Sequence, residues 1–326
     1  MNTIVTLTMN PALDVTTSAE TVRPGHKLRC AQPRFDPGGG GINVARTIVR
    51  LGGDALAIFP SGGAPGERVR ELLSVEKVPF KSVAIAETTR ESLTVVDRTS
   101  NDQYRFVLPG PALSPSEQAH CLETLAAIQP RPAWLVMSGS LPPGVDHNFF
   151  VQIGRWCRSH GVELAVDTSG KTLATCDGIG AALVKPSLRE LEQIVGRTVT
   201  EAEEPGAARQ LIDRGFARIV VLSLGERGAL LVSARGSQRF AAPKVESKTG
   251  VGAGDAMLGA IVLGLDRGMA LSAAVRRGVA AGAAATMAQG TGLPRIDDVE
   301  RLYATMQQTG PNKGPGATRR RASRSS

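Results

Sequence analysis

Along most of its length the chain alternates continuously apolar runs of strand length with amphipathic stretches of helix length. No other feature restricts its fold as strongly. The apolar runs lie at 4–8, 55–59, 133–137, 162–166, 181–184, 219–222 and 229–232, and the helical patterns at 42–51, 147–159, 188–195, 206–214, 255–265 and 271–287. Strands that are apolar on both faces belong in a sheet covered on both sides. In the first helix Ile42, Ala45, Ile48 and Val49 form one stripe, which Gly52-Gly53 ends. This order predicts an α/β fold, a doubly wound and mostly parallel sheet flanked by helices. One region breaks the rhythm: segments 92–97 and 103–107 flank a turn cluster at 98–102 and read as an antiparallel hairpin. With 15–17 and 27–31 it forms a small β-sheet too polar to stand alone. That sheet, drawn from about 12–33 and 88–108, is expected to be a lid over the strand ends or a surface for a partner subunit.

Bulk properties set further bounds. The chain has 326 residues and a net charge of +8. Five of those charges (Lys313, Arg319, Arg320, Arg321 and Arg324) sit in a Gly/Pro/Ser-rich tail at 309–326 that has no acid, which leaves +3 for the domain at 1–308. The tail cannot bury apolar surface and is expected to be disordered, a solvated extension rather than a nucleic-acid arm. No run approaches the roughly 20 apolar residues of a membrane span. The start, MNTIVTLTMNP, reads as a strand entering a turn and not as a secretory leader. Cys30, Cys121, Cys157 and Cys176 are scattered, as reduced thiols of a cytoplasmic protein would be, and the four histidines form no metal-ligand pair.

Two glycine-rich stretches carry the chemistry. In Pro37-Gly38-Gly39-Gly40-Gly41-Ile42-Asn43 the glycines permit close backbone approach to a ligand, and Asn43 can exchange hydrogen bonds with a polyhydroxylated one. A plain connector would not need four glycines before so periodic a helix. In Gly250-Val251-Gly252-Ala253-Gly254-Asp255 the glycines open a small-residue helix whose free N–H groups suit a phosphate. A carboxylate there would repel a merely bound phosphate. It makes sense as a base that takes a proton from an attacking hydroxyl while Gly252, Ala253 and Gly254 hold the transferring phosphoryl group; the rival reading is a helix cap. The dinucleotide fingerprint fails, since Met257 stands where a third small residue belongs, and no G-x-x-x-x-G-K-[ST] is present.

Other candidates follow strands. Ser223-Leu224-Gly225-Glu226-Arg227-Gly228 makes a turn where open α/β sheets bind nucleotides, and Lys185-Pro186-Ser187 sits similarly. Glu190 could meet Mg2+ through water. Asp14, Arg90, Arg105 and Ser140 lie at strand ends or in the lid, and the arginine forks suit a sugar phosphate.

Over residues 1–306 the chain resembles the PfkB branch of ribokinase-like carbohydrate kinases, through Gly38–Arg46 and Gly250–Asp255 in that order and separation. Gly-Gly-Gly-Gly, Lys27-Leu28-Arg29-Cys30 and Tyr104-Arg105-Phe106-Val107 look most like the branch's minor 6-phosphofructokinases. The resemblance implies transfer of a phosphoryl group from ATP to O1 of fructose 6-phosphate, a glycolytic step. Fructose 1-phosphate and tagatose 6-phosphate are the alternative acceptors, and a non-catalytic sensor is the alternative class. It implies a homodimer built through the lid. By matched position it puts Asp14, Lys27, Gly38, Gly39, Asn43, Arg90, Arg105 and Ser140 on the sugar phosphate. Lys185, Ser187, Ser223, Gly225, Gly228 and Gly252 fall on ATP, with Asp255 as base. Two departures stand out: Ser187 replaces the asparagine of the N-x-x-E magnesium motif, and Ala288 and Gly292 replace polar residues, which weighs against K+ activation.

Overall fold

The apolar runs become the middle of one large sheet. A computed structural model of the chain describes residues 4–146, 148–247, 250–288 and 293–308; His147, Lys248, Thr249, Gly292 and the tail at 309–326 lie outside the described residues. The chain runs β1 (Ile4–Leu7), β2 (Ala12–Ala19), β3 (Arg34–Gly38), α1 (Gly40–Arg50), β4 (Ala55–Ser61), α2 (Gly63–Val75) and β5 (Phe80–Ala84). Then come β6 (Arg90–Asp97), β7 (Gln103–Val107), α3 (Pro115–Ala126), β8 (Trp134–Ser138), α4 (Asn148–His160), β9 (Glu163–Asp167) and α5 (Gly170–Ala174). The remainder is β10 (Ala181–Val184), α6 (Leu188–Val195), α7 (Glu204–Asp213), β11 (Ala217–Ser223), β12 (Ala229–Ser233), β13 (Gly236–Phe240), α8 (Ala253–Asp266), α9 (Leu271–Thr286) and α10 (Ile296–Gln308).

Nine strands pair in the order β13-β12-β11-β10-β9-β8-β1-β4-β5. From β5 to β11 every pair is parallel, and only β12 is reversed, pairing antiparallel with β11 on one side and β13 on the other. The carboxyl ends of seven strands therefore meet along one edge, where open α/β sheets bind ligands. One face is covered by α1, α2, α8, α9 and α10, the other by α3 to α7, each over its own apolar core. Helix α8 is buried over most of its length, from Ala256 to Gly264, so its sequence shows small and apolar residues and little amphipathic stripe.

The small second sheet, expected as a lid, has four strands in the order β3-β2-β6-β7. The expected hairpin is β6 and β7, paired antiparallel from Ser92↔Val107 to Val96↔Gln103. The expected strand at 27–31 does not form. That segment is an exposed loop, and the third lid strand is β3, paired with β2 from Ala12↔Gly38 to Thr16↔Arg34. Its Arg, Asp and Pro hide it from a pattern search, yet an edge strand tolerates Pro37 because one side of its backbone needs no ladder partner. Strand β2 has one polar row, Asp14, Thr16 and Ser18, and one mainly apolar row, Leu13, Val15, Thr17 and Ala19. The polar row lines the cleft described below.

Helices α8 and α9 approach closely. A Cβ on Gly278 would stand 2.4 Å from Ile261 Cγ1 and 2.9 Å from the Met257 carbonyl oxygen. Gly278→Ala is expected to destabilise the domain by about 1–3 kcal/mol through overpacking; urea unfolding that matches the parent within error would show this packing to be softer.

Candidate active site

Strand β3 runs straight into the first glycine turn. Gly39 is left-handed at φ 110°, where a side chain would be strained. A Cβ on Gly40 would lie 2.3 Å from Ser138 Oγ, and one on Gly41 would lie 2.5 Å from Thr8 Oγ1. The glycines at 40 and 41 thus serve close approach to the ends of β8 and β1, a use the sequence did not suggest. The contact seats the first turn of α1 on the sheet edge and carries Asn43 into the cleft.

The second turn begins α8. Gly252 is its N-cap at φ 79°, no side chain caps the helix, and Asp255 is the one acid in its first turn. Asp255 is held on both carboxylate oxygens: Asn43 Nδ2 donates to Oδ2 at 3.0 Å, and Ser138 Oγ donates to Oδ1 at 3.2 Å. Burial among protein atoms, with the Asp167 charge adding to it, raises its pKa to about 7 against the opposing pull of Asn43, Lys185 and Ser138. A carboxyl poised there can accept a proton near neutral pH. The buried Lys185 Nζ pairs with Asp167 Oδ2 at 3.0 Å. Burial works against the ammonium, but Asp167, with Asp255 and Glu190, outweighs it and the Lys185 pKa ends above its usual value. A Cβ on Gly254 would stand 3.1 Å from that ammonium, so the cation lies against the opening turn of α8.

The lid supplies a second cluster. Asp14 has its pKa raised to about 6, mainly by burial, with Arg90 opposing and Asp36 adding. Arg90 donates through Nη1 to the Leu108 carbonyl and through Nη2 to the Asn10 carbonyl, both at 3.3 Å. Asn10 Nδ2 donates to Ser140 Oγ at 3.1 Å. The Arg90 Nε, Asn10 Oδ1 and Thr8 Oγ1 are buried without a partner among the described residues. Unsatisfied donors and acceptors gathered at one strand edge are the signature of a polar ligand site. Asp14, Arg105, Ser92 and Thr94 share a cavity with Val251, which brings the inner lid face to the start of α8. Lys27 is exposed on the loop between β2 and β3.

Further along the sheet edge, Ser187 and Glu190 form a capping box at the start of α6, with Glu190 Oε2 accepting from Ser187 N at 2.8 Å and Ser187 Oγ at 2.9 Å. S-x-x-E is the capping-box signature and could have been read as one from the sequence. Ser187 bridges to Ser223, after which Gly225–Arg227 makes a single 3₁₀ turn. Gly228, at φ 92°, closes that turn with room for no side chain, since a Cβ would meet the Phe240 carbonyl oxygen at 2.0 Å. Gly225, Gly228, Lys185, Ser187 and Ser223 therefore border one stretch of the edge, which meets the opening turn of α8 through Lys185 and Gly254. Sequence reasoning overlooked Asn10, Arg46, Ser138 and Asp167. Asp167 and Ser138 each end a strand of that edge, the position where site residues concentrate.

Residues 1–298 match the family described as pfkB family carbohydrate kinase. The chain belongs to that family. The ATP-dependent 6-phosphofructokinase isozyme 2 of Mycobacterium tuberculosis is 50% identical over 301 residues, covering 92% of this chain and 88% of that protein. The protein of the same description from Escherichia coli is 44% identical over 307 residues, covering 94% and 99%. The crystal structure of phosphofructokinase-2 from Escherichia coli in complex with substrates and products superposes with a TM-score of 0.89, covering 94% of this chain and 99% of that one. The structure of the same protein in complex with potassium gives 0.90. Family membership makes the chain an ATP-dependent sugar-phosphate kinase on a ribokinase-like fold, the fold that the resemblance implied and whose helix-flanked, mostly parallel sheet the strand and helix alternation predicted.

The raised carboxyl has a consequence for stability. An Asp255 protonated in the fold but ionised near pH 4 when unfolded adds stability at low pH that is lost as pH rises through about 7. Discounted for the water that reaches one side of it, Asp255→Asn should stabilise the protein at pH 8 by about 1 kcal/mol, a Tm gain of roughly 2–4 °C that fades toward pH 4. Melting curves across that range that show an equal gain at both ends would contradict the shift.

Proposed function

We propose that this chain is a 6-phosphofructokinase that transfers the γ-phosphoryl group of ATP to O1 of fructose 6-phosphate. The observation that carries the reading is Asp255, a near-neutral carboxyl on the first turn of an uncapped helix, between the polar lid cluster and the Lys185–Ser223 edge. The two relatives at 50% and 44% identity bear the same description, which favours fructose 6-phosphate over fructose 1-phosphate or tagatose 6-phosphate.

In this reading Asp14 and Asn43 accept and donate to sugar hydroxyls, Arg90 and Arg105 take the 6-phosphate with Lys27, and Ser140 and the Gly38-Gly39 backbone complete the pocket. Lys185, Ser187, Ser223, Gly225 and Gly228 flank the nucleotide. As Asp255 takes the O1 proton, O1 bonds the γ-phosphorus, and the bond to the β–γ bridging oxygen breaks to leave ADP. The N–H groups of Gly252, Ala253 and Gly254, with the Lys185 ammonium, stabilise the charge that develops on the transferring group. Lid closure excludes water, whose attack would waste ATP.

A divalent ion fits the donor set in one manner only. No group of three acidic, cysteine or histidine side chains gathers among the described residues. Mg2+ is suited to this, since it keeps waters and binds mainly to the triphosphate with one or two carboxylates. Glu190 is the carboxylate that would meet it, and the ion supplies charge neutralisation on the phosphates. Ala288 offers no side-chain oxygen to K+, so turnover in KCl and NaCl should be alike; a strong preference for KCl would place the ion on other ligands. The reading puts the enzyme in the cytoplasm, with its substrates.

The outer lid face presents Phe35, Leu93, Tyr104 and Phe106, each 37–53% exposed. An apolar sheet face of this kind suits a second copy of the chain. Phe106→Asp should leave a monomer in sedimentation analysis; an unchanged mass would remove the lid from the dimer interface.

Asp255→Asn should lower kcat by about 10²–10⁴-fold, with the Kd for ATP changed by less than about threefold. Turnover near the parent's would remove the base assignment. In a panel of sugar phosphates with ATP and Mg2+, a higher kcat/KM for fructose 1-phosphate than for fructose 6-phosphate would overturn the substrate.

A further inference from the structure

Arg46 follows Asn43 by three positions on α1, so the two side chains lie one turn apart on the same face. It is only 3% exposed, unusual for a charged residue; Asn43 is the one position assigned above to sugar, nucleotide or metal to which it hydrogen-bonds, and its charge also reaches Asp14. Its guanidinium is almost fully used. Nε donates to Glu76 Oε2 at 2.7 Å and Nη2 to Glu76 Oε1 at 2.6 Å, a two-pronged pair with the residue that caps the end of α2. Nη1 donates to the Pro37 carbonyl at 3.1 Å and to Asn43 Oδ1 at 3.1 Å. Nη2 also faces Asp36 Oδ1 at 3.8 Å.

A side-chain amide can turn over, exchanging its oxygen and nitrogen, and its neighbours decide which way it sits. Guanidinium has only donors. The oxygen of Asn43 therefore points at Arg46, and the NH2 group is left to face Asp255. A carboxylate welcomes that donor; a protonated carboxyl would do as well with an oxygen. The chain Glu76–Arg46–Asn43–Asp255 thus has a direction, fixed at its far end by a charged pair.

We propose that Arg46, held by Glu76, is a positioning residue that locks the Asn43 amide with its NH2 toward Asp255 and so keeps the base in its ionised, proton-accepting form. The proposal rests on the reading of Asp255 as the base. The other groups facing Asp255 are Ser138 at the end of β8, Asp167 at the end of β9 and Lys185 just after β10. None touches Arg46, so they remain constant when it is changed.

The test is the pH profile of kcat at saturating sugar phosphate and ATP, where Asp14 is already engaged by the sugar and drops out of the titration. Without Arg46 the amide is free to turn over and accept a hydrogen bond from protonated Asp255. In Arg46→Met the acid limb should move to higher pH by about one unit, the value of a hydrogen bond to a charged group, with the KM for ATP within about twofold of the parent. Glu76→Gln, at a part-exposed site, should fold even if Arg46→Met does not, and should shift the limb the same way by less. A limb that stays put in every folded variant, or a loss spread equally over kcat and both KM values, overturns the proposal. Asp255→Asn separates the two levels: its inactivity with an unmoved limb defeats the positioning role alone, and its activity defeats the base assignment as well.

Discussion

The hydrogen bond from Asn43 to Asp255, 3.0 Å long, joins residues 212 positions apart and marks the place where two glycine-led helices meet the sheet edge. Each partner arrives by close packing. Gly40 and Gly41 let α1 descend onto Ser138 and Thr8, and further down its length a Cβ on Gly259 of α8 would stand 3.1 Å from the Val44 carbonyl oxygen of α1. A side chain at 40 or 41 would displace α1 by more than a hydrogen bond tolerates, and the carboxyl would lose the donor that orients it. The glycines are therefore as necessary to the chemistry as the polar residues they position.

Electrostatics explain why a carboxylate belongs at a helix start built for anions. A fully ionised aspartate would repel an incoming triphosphate, and a fully protonated one could accept no proton. Burial and Asp167 hold Asp255 between these states, while Asn43, Ser138 and Lys185 stop it from rising further. Lys185 offsets Asp167 in turn, so that the carboxyl raising Asp255 carries its own cation. The same balance recurs at Asp14, where burial raises and Arg90 lowers.

The central strands were legible because both of their faces are covered: runs such as those at 4–8 and 181–184 have no alternation to confuse with a surface strand. Helix α9 was legible from 271 to within one residue of its end. Elements with mixed surroundings were not. Strand β5 has a single buried residue, Val83, β13 carries Gly, Ser, Gln and Arg, and α2 starts Gly-Ala-Pro-Gly. Asp255 and Asn43 stood out because glycines announced them. Ser138, Asp167 and Arg46 carry no such flag: the first two are ordinary strand-end residues, and Arg46 acts through a partner that only the fold brings near. Ser187 and Glu190 show the opposite case, in which a familiar spacing was read toward a metal when its immediate use is to cap α6.

The lid and the core are coupled more tightly than a hinged flap would be. Strand β3 enters the glycine turn without a linker, and a Cβ on Gly38 would stand 2.5 Å from the Asp14 carboxylate. That carboxylate packs on the peptide that leads into α1, and Arg46 reaches back from α1 to the Pro37 carbonyl one residue earlier. Any movement of β2 and β3 must therefore strain the turn that holds Asn43 against Asp255, or be opposed by it. In the proposed reading, a sheet anchored in this way would report its position directly to Asp255, because strand β3 and helix α1, which carries Asn43, are one uninterrupted stretch of chain.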